Sequence, residues 1–197
     1  MPAQTHQLSF TVPVLGTDGG TGVGDVALNY RYQAVDRARV AVAPRLSVLL
    51  ATGSAARERG AGGTSVQANV PLSLSFGRVV AHTNAGATLT PRAKDAAGEA
   101  AHALGWNAGQ SVVWLARPTF NVLVELVFTR AQTVIGPGRT ATSDAVFVSP
   151  GIRWACNFTS GLQIVPGIAV PFGVGPSRGR HGVFLYLSFE HPFRNTR

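Results

Sequence analysis

At 197 residues the chain has the length of a single domain, and with 45% hydrophobic but only 13% charged residues it carries little charge for a soluble protein of that size. Its net charge of +8 comes from arginine almost alone, Lys94 being the one lysine, and the arginines are dispersed through turns and strands; nucleic-acid binders cluster such charge on one face among aromatics, so nucleic acid is not expected as a partner. The single Cys156 excludes an internal disulfide framework and a cysteine zinc site, and no apolar run reaches the roughly 18 to 20 residues of a spanning helix, so any crossing of a membrane is by strands.

Successive side chains of an extended backbone point to opposite faces, and this chain alternates apolar with polar residues over long stretches. Between Thr64 and Phe76 the alternation is unbroken: Val66, Ala68, Val70, Leu72, Leu74 and Phe76 share one face, and Ser65, Gln67, Asn69, Pro71, Ser73 and Ser75 the other. The pattern predicts ten strands: Gln7 to Leu15, Gly24 to Ala34, Val40 to Leu50, Thr64 to Phe76, Arg78 to Thr90, Trp106 to Ala116, Thr119 to Thr129, Asp144 to Asn157, Leu162 to Val170, and Gly182 to Phe193. Pro13, Pro44, Pro71, Pro150 and Pro166 fall inside them and are read as bulge positions. The sixth strand is ambiguous, because Val112 and Trp114 on one face meet Val113 and Leu115 on the other.

Such strands fit a soluble sandwich or barrel with an apolar interior, or a membrane barrel with an apolar exterior. Three features favour the second. Most strands run about 9 to 13 residues, longer than the usual 5 or 6 and close to the span of a tilted transmembrane strand. Short connections (Val35 to Arg39, Gly77, Arg117-Pro118, Phe158 to Gly161) alternate strictly with long ones (Gly16 to Val23, Ala51 to Gly63, Pro91 to Gly105, Arg130 to Ser143, Pro171 to His181). The final strand sets Val183, Leu185, Leu187, Phe189 and Phe193 on one face, like the terminal strand recognised by outer-membrane assembly machinery, although Arg194 to Arg197 follow. The expectation is therefore all-β: one domain over residues 1–197, an up-and-down antiparallel transmembrane β-barrel of about ten strands with short periplasmic turns and longer extracellular loops. Closure requires Gln7 to Leu15 to pair with Gly182 to Phe193. The expected location is the bacterial outer membrane, with the lipid bilayer and the barrel-assembly machinery as partners, although Met1-Pro2-Ala3-Gln4-Thr5-His6 shows no secretory signal.

The face predicted to meet lipid, including Leu8, Phe10, Leu28, Val122, Val124, Leu126, Val146 and Val148, carries no charge on this reading. The opposite face holds Asn29, Arg31, Gln33, Arg45, Gln67, Asn69, His82, Asn84, Asn121, Glu125, Arg153 and Glu190. Ten strands enclose little more than their own side chains. Arg31, Arg45, Arg153, Glu125 and Glu190 are therefore expected to form an ion network or gate in a narrow lumen, because unpaired charge is costly there; His82, Asn84, Gln67 and Asn69 are candidate polar contacts beside it. No Ser-His-acid spacing stands out, so no catalytic residue is assigned. The scattered histidines suggest no metal, Gly22-Val23-Gly24-Asp25 is a tight turn and not a nucleotide loop, and no cofactor is implied.

Gly22-Val23-Gly24-Asp25 leading to Tyr30-Arg31-Tyr32, then Leu50-Ala51-Thr52-Gly53-Ser54, then His82-Thr83-Asn84-Ala85-Gly86 resemble the outer-membrane transporter-like β-barrel family of the "MetA-pathway of phenol degradation". The resemblance spans roughly Gly22 to Phe193 and departs from the family at Ala51, where a proline is usual. It implies uptake of small hydrophobic or aromatic molecules and transfers no binding residue. The function expected is passage or binding of such compounds, without enzymatic activity. The alternatives are a sealed structural or interaction barrel acting through its outer loops, and a membrane-embedded lipid hydrolase.

Overall fold

A computed structural model describes residues 5–17 and 20–190. The chain is all-β and antiparallel, with no α-helix among the described residues. In chain order the strands are β1 (His6–Thr11), β2 (Val14–Thr17), β3 (Gly20–Val23), β4 (Val26–Tyr32), β5 (Val35–Arg37), β6 (Val40–Val42), β7 (Arg45–Leu50), β8 (Ser65–Phe76), β9 (Val79–Lys94), β10 (Ala100–Arg117), β11 (Phe120–Gly136), β12 (Arg139–Trp154), β13 (Cys156–Asn157), β14 (Gln163–Ala169), β15 (Phe172–Gly173) and β16 (Phe184–Glu190). One sheet follows the chain as β1-β4-β7-β8-β9-β10-β11-β12-β14-β16, with β6 continuing β7 beside β8, and β15 and β13 flanking the β12–β14 contact. The β2–β3 hairpin stands apart from that sheet.

Among the described residues sixteen strand segments replace the ten that the sequence predicts, and proline explains much of the difference. Pro13 and Pro44 lie between segments, separating β1 from β2 and β6 from β7. The other three stay inside strands at positions where the neighbouring strand is interrupted. Pro71 lies where β8 changes partner from β7 (Arg45↔Asn69) to β6 (Val42↔Leu72). Pro150 lies between the β14 and β15 pairings of β12, and Pro166 between the β13 and β12 pairings of β14. A missing N–H costs little at such a break.

Strands also replace predicted loops. Residues of the expected connections 91–105 and 130–143 belong to β9, β10, β11 and β12, which run on as long hairpins that turn at 95–99 and 137–138. It is the length of these hairpins, more than the length of their loops, that distinguishes this end of the sheet. Near it the β10–β11 ladder stops at Trp106↔Arg130; beyond that point Leu104 N–H of β10 donates to Gln132 Oε1 of β11 at 2.8 Å, and Gly138 N–H in the β11–β12 turn donates to Ala100 O of β10 at 2.9 Å.

The two faces differ in chemistry and in exposure. Ser47, Ser65 and Asn69 are only 1%, 2% and 2% exposed, whereas Trp106, Trp114 and Val124 are about half exposed. A flat single-layer sheet would expose both faces alike, so this one curls with its polar face inside. The register gives the curl a stagger: the row of partners Tyr30↔Leu46↔Ala68↔Ala87↔Trp106↔Arg130 starts near the short-turn end of β4 and finishes towards the long-hairpin end of β11. Strands that are to close into a barrel require such shear.

The predicted closure is not present. Among the described residues β1 pairs with β4 alone and β16 with β14 alone, and Leu8 and Leu185 are 82% and 74% exposed. An edge facing water loses little, because its N–H and C=O groups bond solvent. His191 and Phe193 of the predicted terminal strand lie outside the described residues.

The outward face is also not free of charge. Arg130 and Asp144 are direct partners on it and form a two-pronged ion pair, with Nε–Oδ1 and Nη2–Oδ2 both at 2.7 Å. Amide hydrogen exchange is expected to be slow through the β9–β10–β11 ladders, and exchange faster by more than about a hundredfold in β1 and β16 would mean that the two edges stay open. Equal protection of all three regions would mean that the two edges are paired.

Candidate functional site

Cross-strand hydrogen bonds organise the concave face. Ser47 Oγ donates to Asn29 Oδ1 at 2.7 Å, Gln67 Nε2 to Thr88 Oγ1 at 2.9 Å, and Ser65 and Thr90 share a buried hydroxyl contact of 2.7 Å. At the centre, Asn84 Nδ2 and Asn107 Nδ2 both donate to Asn69 Oδ1, each at 3.0 Å. The register sets Gly86 between Asn69 and Asn107, and a Cβ there would collide with both amide oxygens. Glycine thus lets the side chains of two strands meet across a third. That is the physical reason for the Asn84-Ala85-Gly86 triplet.

The predicted charged residues fall into two groups. Arg31 on β4 and Arg45 on β7 are direct cross-strand partners and line a cavity of about 420 Å³ with Gln33, Asn69, Ser73 and Asn84. Arg31 donates to Gln33 Oε1 at 2.9 Å and to Gln7 Oε1 at 3.5 Å. Glu125 on β11 and Arg153 on β12 line a second cavity of about 250 Å³ with Leu123, Gly167, Ala169 and Tyr186. Glu125 forms no direct ion pair with Arg31, Arg45 or Arg153: among the described residues the ion pair is Arg130–Asp144 on the other face. Arg153 is instead neighboured by Asn121, whose amide, turned to satisfy both of its ends, accepts from Arg153 Nε at 3.1 Å. Glu190 lies opposite Gln163 at the end of β16, and its side chain is outside the described residues. Gln67 and Asn69 are two residues apart on the concave face of β8. His82 bonds Ser73 Oγ through Nδ1 at 2.8 Å, and no carboxylate completes that dyad among the described residues.

A second constellation is absent from the sequence reading. The Asp25 carboxylate accepts Gly53 N–H at 2.9 Å and Ala61 N–H at 2.8 Å, and Thr52 Oγ1 accepts from Val26 N–H while donating to Gly24 O, both at 2.9 Å. These bonds tie segment 51–64 to the start of β4. Arg59 from that segment is buried, donates from Nη1 to Gly20 O at 3.4 Å, and sits where a Cβ at Gly22 would strike its guanidinium. Ala55, Glu58 and Gly60 of the segment face Thr90 and Ala103 of the concave wall across a cavity of about 470 Å³. The segment therefore folds over the interior at the long-hairpin end. The signal in the sequence is the pairing of Gly24-Asp25 with Thr52-Gly53 and Gly60, each glycine admitting a carboxylate or a carbonyl where a side chain would not fit. No family model matches this chain, and no curated protein is found to match it.

Gly86→Val is expected to destabilise the protein by about 1 to 3 kcal/mol through overpacking, read as a lower unfolding temperature. Gly109→Ala, one position pair further along β10 with its nearest atom 3.9 Å away, should leave that temperature unchanged. Asp25→Ala leaves two N–H groups without their acceptor, at about 1 to 3 kcal/mol for such a loss; trypsin should then cut after Arg57 several-fold faster, with the rest of the sheet intact.

Proposed function

We propose that this chain is an outer-membrane β-barrel that binds or passes small hydrophobic or aromatic compounds. One observation carries the membrane reading: the enclosed face is polar and the exposed face apolar. In water the outward face, with Leu46, Val66, Val70, Val112 and Val124 among its exposed residues, would form an apolar patch far larger than monomers tolerate. In hydrocarbon the same face is well solvated and the polar one is shielded.

Dimensions and borders agree with this. Eight residue steps separate outward Trp106 from outward Trp114 on β10, about 21 Å of height at about 3.4 Å per residue and a tilt of about 40°, against an apolar band about 25 Å tall. Trp114, Trp154 and Phe76 border one end of that band, and Trp106 beside the Arg130–Asp144 pair borders the other. Hydrocarbon offers no solvent to the free edges of β1 and β16, at several kcal/mol for each unsatisfied group. In a bilayer those edges are paired, in the simplest arrangement with each other.

The compound class rests on the resemblance of the segments 22–25, 50–54 and 82–86 to the MetA-pathway family, and on an interior divided into ligand-sized cavities of about 420 and 250 Å³. A sealed scaffold acting through its outer loops is the second reading, favoured by segment 51–64 folded over the concave face. Expression in Gram-negative cells separates the two. Passage predicts faster uptake of N-phenyl-1-naphthylamine by intact cells with unchanged vancomycin sensitivity, whereas a sealed scaffold leaves uptake at the level of cells without the protein. Val124→Arg, costing about 2 to 4 kcal/mol near the midplane, should sharply lower recovery in the outer-membrane fraction; undiminished recovery there would count against the membrane reading.

A further inference from the structure

The two ends of the sheet differ in charge. At the short-turn end Arg37 and Arg39 lie at the β5–β6 turn, Arg78 at the β8–β9 turn and Arg117 at the β10–β11 turn, all of them exposed. Backbone bonds set these turns side by side: Ser75 N–H donates to Arg39 O at 2.9 Å, and Leu115 N–H donates to Arg78 O at 2.8 Å. In segments 35–40, 76–79 and 115–120 Asp36 is the one carboxylate, and its partner Ala41 is in turn opposite Ser73, which places it on the concave side. Among the described residues none of the four arginines belongs to an ion pair. At the long-hairpin end, by contrast, Glu58 and Asp95 stand beside Lys94, and Asp144 binds Arg130.

Two of these arginines share rows with apolar side chains of the outward face. Arg37 is opposite Val40, which is opposite Leu74; Arg117 is opposite Phe120, which is opposite Trp154. Beside Arg78 runs the row Phe76↔Val79↔Trp114, exposed along its whole length. Cations thus stand immediately beyond aromatic side chains at the border of an apolar face. A long arginine stem can lie on that face while its head reaches the polar layer beyond it.

We propose that this short-turn rim binds the phosphate groups of anionic glycerophospholipids in the leaflet that surrounds it. Each arginine near an anionic leaflet adds to the attraction, and its planar fork grips phosphate oxygens where lysine offers a point charge. Four cations whose one neighbouring carboxylate faces the other way leave that attraction uncancelled. A lipid suits the rim better than a soluble phosphate ester does, because its acyl chains meet the face that carries Leu74, Trp114 and Trp154 while aromatic rings settle at headgroup level. The inference rests on the membrane reading of the outward face.

Tryptophan quenching by brominated lipids tests it on the full chain reconstituted in bilayers. The chain has three tryptophans; Trp106→Phe with Trp154→Phe leaves Trp114 as a reporter at the rim, and Trp114→Phe with Trp154→Phe leaves Trp106 as one at the other end. Brominated phosphatidylglycerol should quench Trp114 with an apparent affinity at least about threefold above that of brominated phosphatidylcholine, and Trp106 without such a preference. Arg37→Gln, Arg39→Gln, Arg78→Gln and Arg117→Gln together should remove the preference at Trp114 while quenching by phosphatidylcholine persists. Equal quenching of Trp114 by the two lipids, the same preference at Trp106, a preference retained in the glutamine variant, or one lost in excess soluble glycerol phosphate would each overturn the assignment and leave the membrane reading standing. Quenching of neither reporter by either lipid would instead overturn the membrane reading, and the rim site with it.

Discussion

The rest of the structure depends on the concave-face hydrogen bonds between neighbouring strands. A curled sheet with mostly serine, threonine, asparagine and glutamine inside, and only Val113 and a few alanines as buried apolar residues, has little apolar core to set the spacing of its walls, so polar side chains must find each other at fixed distances. Ser47 with Asn29, Gln67 with Thr88, and Asn84 and Asn107 on Asn69 do this across β4, β7, β8, β9 and β10. Gly86 is the steric condition for the last of these, and the curvature that buries the polar face follows from drawing these strands together. Each bond is modest, about 1 kcal/mol net, yet a buried group that loses its partner costs more than the bond supplied. The ladder therefore holds as a set, within which Asn69 Nδ2 and Asn107 Oδ1 are the buried atoms left without a partner.

Alternation made much of this legible in the sequence. The period of two in residues 64–76 gives β8 nearly to the residue and assigns its faces, because any slip by one residue would exchange them. Arg31, Arg45, Asn69 and Asn84 share one wall for the same reason. Where the pattern lapses, the reading lapses with it. The hairpin extensions through Arg92-Ala93-Lys94 and Arg139-Thr140-Ala141-Thr142-Ser143 are polar or small on both sides, so backbone pairing holds them as strand without any hydropathy signal. Asp144 shares the face of Val146 and Val148, and only the partner strand, which places Arg130 opposite, explains how it is accommodated.

Contacts between residues distant in sequence were less accessible still. Charge alone suggested that Glu125 and Arg153 would join Arg31 and Arg45. The register instead places the two pairs on different parts of the wall, β11–β12 and β4–β7, with three strands between them. Likewise Asp25 reads as one residue of a turn until segment 51–64 returns to offer it Gly53 and Ala61. Motifs rich in glycine name the places where backbone approaches closely; the visiting group is known only from the fold.

The Gly86 contact also reverses the usual map of tolerance to substitution. In an ordinary domain the interior accepts any apolar side chain of suitable volume, and the surface accepts almost anything polar. Here the interior is selective for hydrogen-bonding capacity and size together, since Asn69 serves two strands through one oxygen, while on the proposed membrane reading outward positions such as Val70 and Val112 constrain polarity and little else. Variation among descendants of this chain should therefore run freely through Leu, Ile, Val and Phe on the outside, and hardly at all through the small polar residues within.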